Sequence, residues 1–194
     1  MKTSEYNITI KIPAFLDYLI LSPVLLYRRL RYGYSFRLIR LGRGGYTKVD
    51  PEDYEWLNKY DWHIDIRERN RYAVRMKHDT NTFVHMHREI MKPPKGMVVD
   101  HINCDGLDNR RANLRLATHQ QNKYNTRPFS RRCTSKYKGV WWAKDRKQWC
   151  ASVTFNGKTK WVGSFDNEVE AAKARDVAAK KYHGQFAWLN FPDD

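Results

Sequence analysis

Alternating apolar and polar residues are clearest in the last third of the chain. They predict three strands, over residues 137–144, 147–155 and 159–165. Asn156-Gly157, a strong two-residue hairpin signal, lies between the second and third strands. A helix follows, with Asp166 or Asn167 as its N-cap and Gly184 just past its end. This region predicts a three-stranded antiparallel sheet packed on one helix.

A second pattern spans residues 98–122. An apolar strand over 98–102 contains Asp100 and His101, a polar loop follows, and residues 113–117 alternate as a second strand. Thr118 and Gln121 then form a capping box that starts a helix. The predicted unit is strand, long loop, strand and helix, and in that arrangement Asp100 and Asn122 can face each other.

The first 91 residues have weaker signals. Residues 36–91 are predicted to be β-rich, with strands over 37–41, 72–76 and 82–86, and with Asp50 and Pro51 starting a short helix. Residues 1–35 are predicted to form a helical arm, in which Ser22 caps a helix over about 23–32 that ends at Gly33. An alternative for this arm is a helix lying in a membrane interface.

Composition restricts the partners. The 194 residues contain 36 Lys and Arg against 21 Asp and Glu, a net charge of +15. This excess indicates a polyanionic partner, either nucleic acid or an anionic membrane surface. The three cysteines form no CxxC pair, which disfavours a disulfide framework and a cysteine zinc site and favours a reducing compartment. We expect no cleavable signal and no spanning helix, because the apolar run over 12–27 is short and interrupted.

The basic residues are concentrated in one stretch. No acid occurs between Asp108 and Asp145, and the stretch is interpreted as a connector that tracks phosphates. Its most linker-like part is residues 126–132, and a basic linker is predicted over 128–134. The members predicted to bind DNA are Arg110, Arg111, Arg115, Arg131, Arg132, Lys138 and Lys144.

The strand, loop, strand and helix unit carries the candidate chemistry. Asp100 and Asn122 both offer hard oxygen, which favours Mg²⁺ or Mn²⁺ over zinc or copper. His101, beside Asp100, has an ordinary pKa close to neutrality and can take a proton from an attacking water. A metal, a base and basic surroundings together indicate phosphodiester hydrolysis.

Residues 86–91, 96–103 and 106–115 resemble the HNH homing endonucleases of phage and bacterial mobile elements, which carry a ββα-metal finger. The resemblance implies that His101 is the general base and that Asn113, the other residue counted as catalytic, holds the loop by hydrogen bonds. It also implies Asp100 and Asn122 as the metal ligands. His87, structural or phosphate-contacting, and His119, a runner-up ligand, are secondary candidates.

Cys104 departs from the pattern of that family, which usually has glycine at this position. If the position needs a left-handed backbone, a cysteine there costs about 1–2 kcal/mol. The departure concerns the geometry of the loop and leaves the metal pair unaffected.

Residues 137–140, 149–153, 161–165, 170–176 and 189–192 resemble the Apetala-type (ethylene-response-factor) DNA-binding domain. The resemblance implies a sheet that lies in the major groove, backed by the helix. Strand alternation directs Trp149, Ala151, Val153 and Phe155 towards the helix and Cys150 outwards. The implied DNA contacts are Lys138, Trp141, Ser152, Thr154 and Trp161, with further phosphate contacts from Lys144, Lys158 and Lys160. The alternative is that these tryptophans belong to the core.

The sequence therefore predicts an α+β protein with a helical arm (1–35), a β-rich region with an HNH core (36–127, the finger about 97–126), a linker (128–134) and a DNA-binding domain (135–192). The expected function is Mg²⁺- or Mn²⁺-dependent cleavage of double-stranded DNA by a monomer or DNA-induced dimer, with no small-molecule cofactor. We expect it in the bacterial cytoplasm at the nucleoid, encoded by a bacterium or phage. The alternatives are a non-catalytic DNA-binding regulator and a membrane-tethered protein.

Overall fold

The computed structural model describes residues 14–42, 44–67, 70–77, 79–128 and 134–192, with the backbone alone for 14–20. Two short 3₁₀ turns, Arg111–Asn113 and Gly184–Phe186, accompany the helices and strands. Helices and strands are mixed along the chain, as expected for the predicted α+β class. They are α1 (Ala14–Tyr32), β1 (Arg37–Arg40), β2 (Tyr46–Val49), α2 (Pro51–Leu57), β3 (His63–Arg67), β4 (Asn70–Lys77), β5 (Thr82–His85), α3 (Met86–Met91), β6 (Val98–His101), β7 (Leu114–Ala117), α4 (His119–Tyr124), β8 (Val140–Ala143), β9 (Gln148–Phe155), β10 (Lys158–Phe165) and α5 (Glu168–His183).

The N-terminal helix differs from its prediction. Helix α1 begins at Ala14 and continues through Pro23, so Ser22 lies inside the helix and is not its N-cap. Proline removes one backbone hydrogen bond and disfavours a helix interior, but the long apolar side chains on both sides favour continuation. The helix ends where predicted, at Gly33, whose φ is +80° and whose N–H donates to the carbonyl of Arg29. None of the helices in the described part of the chain has both the length and the hydrophobicity that spanning a bilayer requires.

The first hydrophobic core joins the N-terminal strands to the predicted finger. Strands β1 and β2 form a hairpin, β3, β4 and β5 form a second sheet, and β6 pairs with β7. Strands β1, β2, β4, β6 and β7 and helices α2 and α3, with the segments that adjoin β1 and β3, contribute buried side chains to one cluster, and Ile64 of β3 packs against it. The buried members are Ile39, Leu41, Val49, Leu57, Trp62, Ala73, Met86, Ile90, Val99 and Leu114. The finger is therefore built on the β-rich region.

Strand β2, strand β3 and helix α3 were not predicted from the sequence. Met86, assigned to a strand over 82–86, instead begins α3 and is completely buried. Alternation in this segment was too short to show where strand geometry changes to helix.

Strand β6, a loop, strand β7 and helix α4 follow one another along the chain. Strand β6 pairs antiparallel with β7, with Asp100 opposite Arg115, and α4 begins at the predicted capping box of Thr118 and Gln121. The loop between the strands is fixed to β2, because Lys48 donates its N–H to the carbonyl of Leu107 and accepts from the N–H of Asn109. Cys104 lies in this loop with φ +57°, so the left-handed backbone is adopted by a non-glycine residue.

The C-terminal unit is a sheet in the order β10, β9, β8, with α5 packed on one face. Ala151 and Val153 are buried, and Asn167 caps α5 through its side-chain oxygen. Cys150, predicted to face outwards, is buried. It lies on the central strand opposite Trp141 of β8 and Ser164 of β10, and its Sγ lies 3.6 Å from the Ser164 hydroxyl.

The C-terminal unit is docked on α4. The Lys138 ammonium donates to the carbonyl of Tyr124 at 2.8 Å and to the carbonyl and hydroxyl of Thr126 at 2.7 and 3.2 Å. The Tyr124 ring stacks on the His183 ring, with centroids 3.9 Å apart and an angle of 6°. The Tyr124 hydroxyl accepts from the N–H of Asn156. Of the predicted linker over 128–134, residues 129–133 lie outside the described residues.

We predict that Lys138→Met lowers the free energy of unfolding by about 1–3 kcal/mol, because the carbonyl of Thr126 and the end of α4 lose a charged donor. Urea denaturation of both proteins measures the difference. Lys136→Met is the matched control, because Lys136 is exposed and its ammonium lies 5.1 Å from the Tyr137 ring centre without these hydrogen bonds. Equal stability of the Lys138→Met variant and the wild type would contradict the docking role.

Candidate active site

A cleft of about 1080 Å³ lies between the β3–β4–β5 sheet and the β6–β7–α4 unit. Both predicted metal ligands and the predicted base line it. The sheet and α3 contribute three aromatic or imidazole side chains to the opposite wall. The residues discussed below are Tyr72, His85, His87, Asp100, His101, Asn122 and Asn125.

Asp100 is a buried carboxylate, with 4% of its surface exposed. Its Oδ2 accepts from Arg115, at 2.8 Å from Nε and 2.6 Å from Nη2. The Asn125 amide donates to both carboxylate oxygens at 3.0 Å. Because Arg115 binds through Oδ2, Oδ1 retains capacity for a further ligand.

His101 is buried beside Asp100. Its Nε2 lies 3.2 Å from the side-chain oxygen of Asn109, whose amide nitrogen donates to the Thr47 hydroxyl. The Asn109 oxygen can only accept, which assigns the hydrogen to Nε2 and leaves the lone pair on Nδ1. Burial lowers the pKa of His101, so the imidazole is neutral near pH 7.

Two further histidines and a tyrosine pack around the candidate base. The His87 ring lies edge-on to that of His101, with centroids 5.0 Å apart, and His85 and Tyr72 complete the group. His87 Nδ1 is buried without a hydrogen-bond partner, and burial lowers the pKa of His87 to about 2. Sequence reasoning missed Tyr72 and His85, because no motif marked either residue.

Asn113 connects the two ends of the loop. Its oxygen accepts from the N–H of Asn103 at 3.0 Å, and its amide nitrogen donates to the carbonyl of Asp108 at 2.8 Å. The Sγ of Cys104 lies 2.8 Å from the carbonyl of Asn125, so the loop also contacts the end of α4. These bonds hold the strand that carries Asp100 and His101 against the helix that carries Asn122.

Three arginines predicted to bind DNA are paired within the protein. Arg110 is buried and forms a two-point pair with Asp108, at 2.7 and 2.6 Å. Arg115 pairs with Asp100. Arg111 forms a two-point pair with Asp53, both contacts at 2.8 Å, while Asp50 accepts its backbone N–H and makes no side-chain cap of α2.

The stretch contains no Asp or Glu in its sequence, but in the folded protein its arginines contact acidic side chains. These acidic side chains come from earlier parts of the chain. The buried Arg110 does not fit the prediction that it contacts DNA, and Arg115 is occupied by Asp100. Lys138 is likewise occupied by the end of α4. Arg131 and Arg132 lie outside the described residues.

His119 does not lie with the other candidate ligands. It lines a separate cleft on the opposite side of α4, whereas Asn122 lines the cleft of Asp100. A separation of three residues on a six-residue helix was sufficient to direct the two side chains into different clefts. The structure therefore does not bring His119 to the cleft that contains Asp100 and Asn122.

The outer face of the C-terminal sheet exposes two tryptophans. Trp141 is 37% exposed and Trp161 is 52% exposed, with ring centroids 5.9 Å apart, whereas Trp149 packs against the core. Lys144, Lys158 and Lys160 are exposed. Ser152 and Thr154, predicted DNA contacts, line the second cleft beside α4.

The donors in the first cleft fit a hard divalent cation. Within the described ranges, no group of three or more His, Cys, Asp or Glu side chains is arranged to hold a metal. A carboxylate and an amide oxygen are the sparse protein donor set typical of Mg²⁺, which keeps waters and binds substrate phosphate. The residues present therefore fit such an ion better than zinc.

An HNH endonuclease family model matches residues 92–124, which include β6, the loop, β7 and α4. An uncharacterised HNH endonuclease of Acanthamoeba polyphaga mimivirus is 31% identical over 161 residues, 80% of each chain. The chain belongs to the HNH endonuclease family.

Other relatives match only part of this chain. Protein 3.8 of Escherichia phage T7 is 41% identical over 96 residues, 48% of this chain and 76% of its own. An AP2-like ethylene-responsive transcription factor of Arabidopsis thaliana is 35% identical over 83 residues, 43% of this chain and 24% of its own. No solved structure matches the chain significantly.

Acid should destabilise this HNH protein through His87. The unfolded imidazole binds a proton below about pH 6.5, whereas the folded one does so only near its pKa of about 2. The contribution of neutral His87 to the free energy of unfolding is therefore fully present above pH 6.5 and is lost as the pH falls. Between pH 6.5 and 4.5 we expect the wild type to lose about 2 kcal/mol more than His87→Gln, measured by urea denaturation. Parallel pH profiles for the two proteins would refute the assignment.

Proposed function

We propose that this protein is a metal-dependent endonuclease that hydrolyses a phosphodiester bond in double-stranded DNA. The observation that carries the proposal is the grouping of Asp100, His101 and Asn122 in one cleft of an HNH family member. In this proposal His101 is the general base, Asp100 and Asn122 are metal ligands, and Asn113 holds the loop in its ββα-metal finger.

The chemistry assigned to His101 follows from its tautomer. With Nε2–H directed to Asn109, the Nδ1 lone pair can take a proton from a water molecule. That water oxygen forms a bond to phosphorus while the bond to the 3′ oxygen breaks. The 3′ oxygen takes a proton from solvent water, which leaves a 5′-phosphate and a 3′-hydroxyl. The lowered pKa supports this role, because a neutral imidazole is the form that accepts a proton.

The cation assigned to this cleft is of the magnesium or manganese class. Held by Asp100, Asn122 and substrate phosphate, it would stabilise the negative charge that develops on the phosphate and the leaving oxygen. Asn125 and Arg115 orient the Asp100 carboxylate through Nδ2 and the guanidinium. Loss of cleavage in EDTA distinguishes this reaction from metal-free cleavage.

DNA binding is assigned to two regions. Arg67, Arg88 and Arg127 lie at the active-site cleft, where they can contact the backbone around the scissile phosphate. Residues 135–192 are proposed to be an Apetala-type domain whose sheet, with Trp141, Trp161 and the exposed lysines, lies on the duplex. The AP2-like relatives and the three strands backed by one helix support this part of the proposal.

One finger carries one base and one proposed metal site, so a monomer would nick one strand per binding event. A double-strand cut would need a DNA-induced dimer or two successive events. The mimivirus and phage relatives support an origin in a mobile element or virus. We also propose action at DNA in the cytoplasm, without a small-molecule cofactor.

The alternative of a non-catalytic DNA-binding regulator is favoured by the transcription-factor relatives. The similarity to the AP2-like factor of Arabidopsis thaliana covers 43% of this chain, however, and it supports DNA binding by that part of the chain. A plasmid cleavage assay separates the two functions.

We expect the wild type to convert supercoiled plasmid to nicked circles with Mg²⁺ or Mn²⁺, and EDTA to stop the reaction. His101→Ala should lower the rate by about 10²–10⁴-fold, because the water loses its general base. His63→Ala, an exposed histidine on β3, is the control and should retain the wild-type rate. Cleavage by His101→Ala at the full rate would exclude this base, and no cleavage by the wild type with any divalent metal would exclude the nuclease.

Binding to the duplex should have separable aromatic and charged parts. Trp161→Ala is expected to weaken affinity by about 1–3 kcal/mol without changing its salt dependence, because an exposed ring contributes contact and not charge. Lys160→Ala should reduce the slope of log affinity against log salt by about 1. Fluorescence anisotropy between about 50 and 200 mM salt measures both. If neither substitution has an effect, the sheet does not bind the duplex.

A further inference from the structure

The two side chains that bind the Asp100 carboxylate are themselves held by the C-terminal unit (residues 135–192). Arg115 and Asn125 contact Asp100 from β7 and from the end of α4. The C-terminal unit reaches them from two places, the segment that follows α5 and the segment that precedes β8. Neither segment carries Trp141 or Trp161, the tryptophans of the sheet face that is proposed to lie on DNA.

The first of these contacts is made with Arg115. Its Nε and Nη2 bind Oδ2 of Asp100 at 2.8 and 2.6 Å, and its Nη1 donates to the carbonyl of Gln185. The centre of the Phe186 ring lies 4.2 Å from the guanidinium carbon. A guanidinium is planar and rigid, so the contacts with Gln185 and Phe186 fix the direction in which Arg115 meets Asp100.

Phe186 makes its contact in surroundings that contain little water. The residue is 7% exposed, and the Arg115 side chain is 14% exposed. An arginine is attracted to an aromatic face more strongly when both groups are desolvated. Phe186 also ends the 3₁₀ turn that follows α5 directly, so the fold of the C-terminal unit sets the position of the ring.

The second contact is made with the end of α4, on both sides of Asn125. The Asn125 amide donates to both oxygens of Asp100 at 3.0 Å. The neighbouring carbonyls, those of Tyr124 and Thr126, accept from the Lys138 ammonium at 2.8 and 2.7 Å. The backbone that positions the Asn125 amide is therefore held by a cation of the C-terminal unit.

The C-terminal unit also forms part of the wall of the active-site cleft. Trp188 is half-buried and lines this cleft together with Asp100 and Asn122. It follows Phe186 by two residues, so one short segment both contacts Arg115 and lines the cleft. The candidate active site is therefore incomplete without residues of the C-terminal unit.

We propose that the C-terminal unit is a positioning element of the metal site, in which Phe186 orients Asp100 through Arg115. The proposal rests on the metal site proposed above, and it gives the unit assigned to DNA docking a second role. Phe186 is a positioning residue, because it acts on Asp100 through another side chain. Loss of a group that orients a metal ligand typically weakens metal binding by about 10–100-fold.

Titration of the metal-free protein with Mn²⁺, followed by electron paramagnetic resonance, measures this effect. Phe186→Ala should raise the Mn²⁺ dissociation constant about tenfold, because Arg115 can then turn away from Asp100. Phe186→Leu keeps most of the buried volume but loses the ring face, and it should have a smaller effect in the same direction. Phe191→Ala is the matched control, because this ring packs against Tyr137 in the core of the same unit.

The control should bind Mn²⁺ as the wild type does. Wild-type affinity in both Phe186 variants would overturn the proposal. An equal loss of affinity in Phe191→Ala would also overturn it, because the effect would then come from general destabilisation of the C-terminal unit.

Exchange of the Arg115 Nε–H with water, followed by ¹⁵N–¹H NMR in EDTA, tests the positioning without metal or cleavage. This hydrogen is bonded to a buried carboxylate, so it should exchange slowly in the wild type and in Phe191→Ala and faster in both Phe186 variants. Unchanged exchange in both variants would overturn the role of Phe186. A wild type that binds no Mn²⁺ would overturn the metal site itself, and the exchange rates would still show whether Phe186 orients Arg115.

Discussion

The buried carboxylate of Asp100 is the group on which the rest of this structure depends. A charge buried to this extent needs a paired cation and hydrogen bonds, and removing one partner of such a pair is strongly destabilising. Arg115 lies opposite Asp100 in the β6–β7 register, and Asn125 follows the last turn of α4. One side chain thus ties two strands to a helix end. Arg115 also donates to the carbonyl of Gln185 and lies 4.2 Å from the Phe186 ring centre, which extends the connection to the C-terminal unit.

The candidate base is supported from a distant part of the chain. His101 bonds to Asn109, Asn109 bonds to Thr47 on β2, and the Thr47 hydroxyl donates to the carbonyl of Leu107. This series fixes the imidazole tautomer through a strand that precedes the finger by about fifty residues. The unit that would support catalysis is therefore larger than residues 97–126, and it includes the N-terminal hairpin.

Local sequence signals predicted local structure well. The capping box of Thr118, the cap at Asn167 and the end of α1 at Gly33 all depend on a few neighbouring residues, and all three are present. The three C-terminal strands and their helix were predictable for the same reason. Within α1, the intrinsic cost of Pro23 was overcome by its neighbours, which a rule for a single residue does not capture.

Other errors arose where the partner is distant in the sequence. Arg111 pairs with Asp53, 58 residues away, and Lys138 bonds to the end of α4, so neither pairing could be deduced from charge spacing. Asp100, His101 and Asn122 were singled out by residue type and resemblance, and the structure places them along one cleft. The surrounding wall of Tyr72, His85 and His87 depends on how two sheets pack, for which the sequence contains no local signal.

Asp100 and Asn122 are proposed to form a site for one hard divalent cation. Titration of the metal-free protein with Mn²⁺, followed by electron paramagnetic resonance, tests it most directly. We predict one site per chain that is lost in Asn122→Ala and retained in Asn122→Asp, which restores an oxygen donor. Mn²⁺ binding by Asn122→Ala with the affinity and stoichiometry of the wild type would contradict the account.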